Sequence, residues 1–180
     1  MNVTAHDVVE FWRQAGPGHW FARDAAFDTQ CESRFLQPHY AAARRECEHW
    51  MDDAHGALAL LILLDQIPRN VFRGHAHAYA TDPLARHYAA RAVVAGFDRE
   101  VEASLRVFFY LPFEHSEELA DQRRSLQLHA GLPGDNADQW ARLHLDIIER
   151  FGRFPHRNAA LGRESTAEEQ AFLDAGGFSG

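Results

Sequence analysis

Apolar residues recur along this chain at the three- and four-residue steps of helices, and no stretch alternates convincingly at the two-residue step of strands. Val8, Phe11 and Trp12 form a stripe behind Thr4-x-x-Asp7, a capping-box pattern, and Gly16-Pro17 closes that segment. Asp28 can cap a second segment running toward Trp50, which Pro38 is expected to kink or divide. From Ala54 to Gln66 the chain is apolar on every side, as expected of a helix at the centre of a stack. Thr81-Asp82-Pro83 supplies a cap and a first-turn proline, and Gly96 stops the helix that follows. Asp98 can cap a helix through Tyr110, Ser116 another reaching Gly131, and a long helix spans Asn136 to Phe151. Ser165-x-x-Glu168 gives a last capping box ahead of Gly176-Gly177. The pattern predicts an all-α protein, an antiparallel stack of about eight helices joined by short loops into hairpins.

Composition narrows the function classes. The 180 residues suit one domain over 1–180 with an ordinary core. A net charge of -8 argues against a nucleic-acid partner, which needs clustered positive charge. The most apolar run, Ala57 to Leu64, has less than half the length of a membrane span. The first twelve residues show no secretion signal, and Cys31 and Cys47 form no metal or redox motif, so a cytoplasmic location is expected. All 18 basic residues are arginine, which removes lysine Schiff bases and the phosphate-loop lysine from consideration. No serine lies in a nucleophile elbow, and Ser116 reads as a helix cap. A single Glu46-x-x-His49 is a weak metal pattern, and nothing points to a metal ion or a cofactor.

Three junctions gather the unusual chemistry. They are Leu64-Asp65-Gln66-Ile67-Pro68-Arg69-Asn70, Tyr110-Leu111-Pro112-Phe113-Glu114-His115, and Phe151-Gly152-Arg153-Phe154-Pro155-His156-Arg157-Asn158. In each, proline is expected to end a helix just before groups able to do chemistry. The three helices alternate with two others, so an up-and-down stack brings their C-termini to one end. Asp65 at a helix C-terminus faces a negative dipole and needs a cation. Arg69, Arg153 and Arg157 are the candidates. One is expected to staple Asp65 in place while another stays free to fork onto a carboxylate or phosphate, with Asn70 and Asn158 beside them as further ligand-binding candidates. Glu114, His115 and His156 are candidate acid–base residues, since histidine titrates near neutrality. The bland reading of Glu114 is a carboxylate favoured at the start of the next helix.

The blocks LALLILLDQIPRNVFRG, ATDPLAR, FFYLPFEHSEELADQ and RFGRFPHRNAALGREST resemble the signature blocks of a bacterial family, domain-of-unknown-function family nine hundred and twenty-four. The resemblance covers nearly the whole chain and implies a helical fold similar to tetratricopeptide repeats. It brings no activity with it. Two functions remain: a composite pocket for a small anionic metabolite with acid–base turnover, or a helical-repeat scaffold for a peptide or protein partner. The concentration of chemistry at three junctions favours the pocket.

Overall fold

In the computed structural model, which describes residues 3–179, Thr4 caps the first helix, α1 (Ala5–Ala15), through the expected reciprocal bonds with Asp7. Residues 1, 2 and 180 of the expected domain lie outside the described residues. A single turn, α2 (Pro17–Trp20), leads to α3 (Ala25–Ala43). The cap of α3 is Asp24, which accepts from the amides of Ala26 and Phe27. Asp28 lies a turn inside and binds Arg73 instead. Pro38 does not divide α3. The helix stops at Ala43, and a 3-10 turn over Glu48–Asp52 completes the stretch to Trp50.

The core is built around α4 (Ala54–Leu61), a π-helical turn over Ile62–Gln66, and α5 (Ile67–Val71). Every residue from Ala57 to Leu64 is fully buried, in agreement with the all-round apolar pattern. Helix α4 packs on α1 and on α6 (Asp82–Ala95), while α5 packs on α3. Gly56 allows α4 to pass the Glu48–Asp52 turn, because a Cβ there would collide with the Trp50 carbonyl.

The helix expected from Asp98 to Tyr110 does not form. In its place stand 3-10 turns at Phe97–Arg99 and Arg106–Phe109 and the short α7 (Leu111–Glu114). Phe108, Phe109, Tyr110 and Leu111 are all buried along these turns. Asp98, buried rather than capping, accepts the Tyr110 hydroxyl at 2.7 Å.

Helices α8 (Leu119–His129) and α9 (Gln139–Phe151) form an antiparallel pair, and Gly152, at φ 69°, ends α9. Glu118 rather than Ser116 is the N-cap of α8 and makes no side-chain cap bond, while the Ser116 hydroxyl accepts from the Glu118 amide just ahead of the helix. The last helix, α10 (Ala167–Asp174), uses Thr166 and Glu169 for its capping box, one residue later than Ser165 and Glu168. A smaller core of Ile147, Ile148 and Phe154, with Phe172 against it, joins α9 to α10. Among the described residues no strand occurs, and no helix is long and apolar enough to cross a membrane.

Candidate functional site

The π turn is where the local sequence first shapes the site. An α-helix would give the Leu63 and Leu64 carbonyls the amides of Ile67 and Pro68. The Ile67 N–H reaches back to Ile62, and Pro68 has no N–H. His39 Nδ1 donates to Leu63 O at 2.8 Å and Thr81 Oγ1 to Leu64 O at 2.6 Å in their stead. Arg69 Nη1 and Asn70 Nδ2 then donate to the Asp65 and Gln66 carbonyls. Pro68 therefore does not end the helix; the π turn absorbs it. Pro112 and Pro155 likewise sit in the first turns of α7 and of a 3-10 turn over Pro155–Arg157, where a missing N–H costs nothing.

Asp65, buried on the π turn, places Oδ1 2.8 Å from His115 Nδ1 and 3.3 Å from Arg69 Nη1, while the Gln66 amide donates to Oδ2. Burial would raise the Asp65 carboxyl, but Arg69 and His115 outweigh it and hold the group well below the usual carboxylate range. Arg69 also forks onto both oxygens of Asp82 at 2.9 and 3.0 Å. Burial, aided by the Arg69 charge, draws His115 below 6.5 despite the neighbouring carboxylate. His115 is thus neutral at pH 7, donates from Nδ1 to Asp65, and keeps its lone pair on Nε2.

Arg157, also buried, reaches the same place from the other core. Its Nη1 donates to the His115 carbonyl at 2.9 Å and lies 3.6 Å from Asp82. Its guanidinium carbon lies 4.7 Å from the Tyr79 ring centre and 4.4 Å from that of Phe154, while Nε has no hydrogen-bond partner among the described residues. Burial and then the Arg69 charge pull this guanidinium down to about 10. Arg69 pairs with Asp65, and Arg157 keeps an edge unmatched.

Glu114 is buried with Oε2 3.3 Å from His129 Nε2 and Oε1 3.5 Å from His144 Nδ1. These contacts have the spacing of ion pairs, yet burial, reinforced by Asp65, pushes Glu114 up to about 8, and burial lowers both histidines. Their Nδ1 atoms donate to the Ser125 and Trp140 carbonyls at 2.9 and 2.8 Å. His129 therefore faces Glu114 with a lone pair, and Glu114 Oε2 is buried without a hydrogen-bond partner among the described residues. His156 lies at the rim. Burial and then the Arg157 charge hold it at about 3, and its Nδ1 is unpartnered. Phe178 packs on the rings of His144 and His156 at 4.6 and 5.1 Å.

The structure thus brings together Asp65, Arg69, Glu114, His115, His156 and Arg157. It places three other candidates elsewhere. Arg153 forks onto Glu169 at 2.6 and 2.8 Å. Asn158 donates to Ser165 and accepts from Arg163, in the contacts that dock α10. Asn70 accepts from Arg73, which ties α5 to Asp28 of α3. Ser116 is occupied by Arg86, Asp121 and the Glu118 amide, which leaves it no nucleophilic role. Sequence reasoning passed over Tyr79, Asp82, His129 and His144. His144 stands on the apolar stripe of α9 with Ala141, Leu145 and Ile148, and a histidine on a buried stripe was the available signal.

The described residues thus form an all-helical protein with a buried Asp–His–Arg–Glu cluster at the meeting of two cores. The chain belongs to the family described as bacterial protein of unknown function (DUF924), whose pattern matches residues 8–177. It is similar to a solved structure titled as the protein of unknown function ATU0120 from Agrobacterium tumefaciens. The two are 54% identical with a TM-score of 0.92, over 95% of this chain and 97% of the other. No curated protein matches the chain.

Proposed function

We propose that the cluster binds a small anionic metabolite at Arg157 and turns it over by acid–base, hydrolase-like chemistry at His115. The observation that carries the reading is the ionised, buried Asp65 at 2.8 Å from His115 Nδ1, beside an Arg157 with an unpartnered Nε. A carboxylate on Nδ1 fixes the tautomer and stabilises the imidazolium that forms when Nε2 accepts a proton. Arg157 holds the anion, and Arg69, paired with Asp82 and Asp65, keeps Asp65 charged. In hydrolysis His115 takes the proton of the attacking water and returns it to the leaving group, so the step balances without a second acid. Glu114, held neutral against His129, adds no second negative charge to the site.

A thermal-shift screen of small carboxylates and phosphates tests the binding. A ligand selective for the folded state raises the melting temperature, by a free energy of about 2.7 kcal/mol at a hundred times its Kd. Esters, amides and phosphoesters of the best ligand then test turnover, which His115→Gln abolishes because its amide cannot accept the proton. A screen in which no anion shifts the melting temperature overturns the proposal.

A further inference from the structure

We propose, resting on that anion-site reading, that the ligand is a monocarboxylate seated side-on against the Nε–Nη2 edge of Arg157. The protein shows how its arginines use that edge. Arg13, Arg44, Arg45, Arg73 and Arg153 each place Nε and Nη2 on the two oxygens of one carboxylate, at distances from 2.6 to 3.2 Å. Arg157 departs from the pattern. Its polar contacts, to His115 O and Asp82, both run through Nη1, and its Nε is buried without a partner among the described residues. A buried donor left unmatched is costly, and a planar two-oxygen acceptor on that edge removes the cost. Arg69 offers no second site, because Asp82 occupies its fork and the Asp65 carbonyl takes a further bond from Nη1.

Shape and charge then choose between oxyanions. The guanidinium of Arg157 lies over the rings of Tyr79 and Phe154, which leaves its own plane as the direction for an acceptor on the buried Nε edge. A planar carboxylate fits that approach better than a tetrahedral phosphate, whose remaining oxygens leave the plane. The charges within the cluster are already matched, Arg69 and Arg157 against Asp65 and Asp82, while Glu117 is committed to Arg163. A single added negative charge is tolerable there, and a dianion brings twice the uncompensated charge. The rings of Tyr79 and Phe154 against the guanidinium suit an apolar or aromatic body behind the carboxylate.

The test uses the full chain at pH 7 with acetate, benzoate and inorganic phosphate as probes. Thermal melting reads binding, and the proton–nitrogen NMR signals of the arginine Nε–H groups read its place. The Arg157 signal is assigned in the unaltered protein by its proximity to the Tyr79 and Phe154 ring protons. Benzoate is expected to raise the melting temperature and to move that signal. Phosphate is expected to bind about tenfold more weakly or worse, and Arg157→Lys, which keeps the charge but loses the fork, to weaken benzoate by about tenfold or more. Should Arg157→Lys not fold, the NMR shift decides by itself. Binding of phosphate without the carboxylates overturns the carboxylate assignment and leaves the anion site standing. Benzoate binding that leaves the Arg157 signal unmoved overturns the seat on Arg157. Silence from all three probes overturns the assignment as well, and the wider screen then decides the anion site.

Discussion

The Nδ1 atom of His115 lies 2.8 Å from Oδ1 of Asp65, joining residues fifty positions apart. The contact links the π turn to the end of α7 and gives a buried carboxylate its second cation-capable partner after Arg69. Asp65→Asn keeps the shape and removes the charge, leaving Arg69 with Asp82 alone. Breaking one side of a buried charged pair is expected to destabilise the fold by about 3 kcal/mol at neutral pH. The folded Asp65 titrates below its unfolded value, so its stabilisation is present above about pH 4 and lost as pH falls toward the folded value. Denaturant melts should show the gap between variant and parent narrowing below pH 4, and a gap constant with pH would remove the charge from the explanation.

Glu114 gives a prediction of the opposite sign. Its folded value of about 8 lies above the ordinary 4.5, so the stabilisation is complete below 4.5 and is lost as pH rises through 8. His144 and His156, both held at about 3, act the other way, since below 6.5 the unfolded chain binds protons that the fold refuses. Stability should therefore peak near about pH 6. Glu114→Gln, which is neutral in both the folded and the unfolded chain, should match the parent near pH 4 and exceed it increasingly as pH rises toward 8. Parallel melting curves across that range would mean that Glu114 is ionised in the fold.

These relationships were only partly legible in the sequence. The capping box of Thr4 and Asp7, the all-round apolar run of α4 and the Gly96 stop are local signals, and the structure follows them. The gathering of the three proline junctions was also visible, although its cause differs. The prolines begin elements, and the helix expected from Asp98 to Tyr110 gives way to tight turns that bury three consecutive aromatics. The π turn was hidden because its stability depends on His39 and Thr81, distant residues that supply the donors the turn lacks. Asp82 looked like a helix start, and only the tertiary structure turns it toward Arg69.

Phe178 covers two of the histidines, and its burial of their rings is part of what depresses them. Phe178→Ala should move His144 and His156 upward from about 3 toward 6.5, read by NMR titration of the ring protons. Unchanged titrations would assign their burial to Phe154 and the helices beneath.

Arg153 serves as a control among the three candidate arginines. It clasps Glu169 at the start of α10 with its side chain partly exposed. Arg153→Ala should loosen α10 slightly and leave any anion-induced melting shift intact. A shift lost in this variant would extend the site across α10.

The claim on which the functional reading rests is that His115 stands ready as a base, neutral at pH 7 with its proton on Nδ1 toward Asp65 and its lone pair on Nε2. Nitrogen-15 NMR of the histidine side chains in the folded protein reads this state directly. The account predicts a protonated Nδ1 and an unprotonated Nε2 at pH 7, with protonation of the ring only below its ordinary value of 6.5. A His115 ring protonated on both nitrogens at pH 7, or carrying its single proton on Nε2, would contradict it.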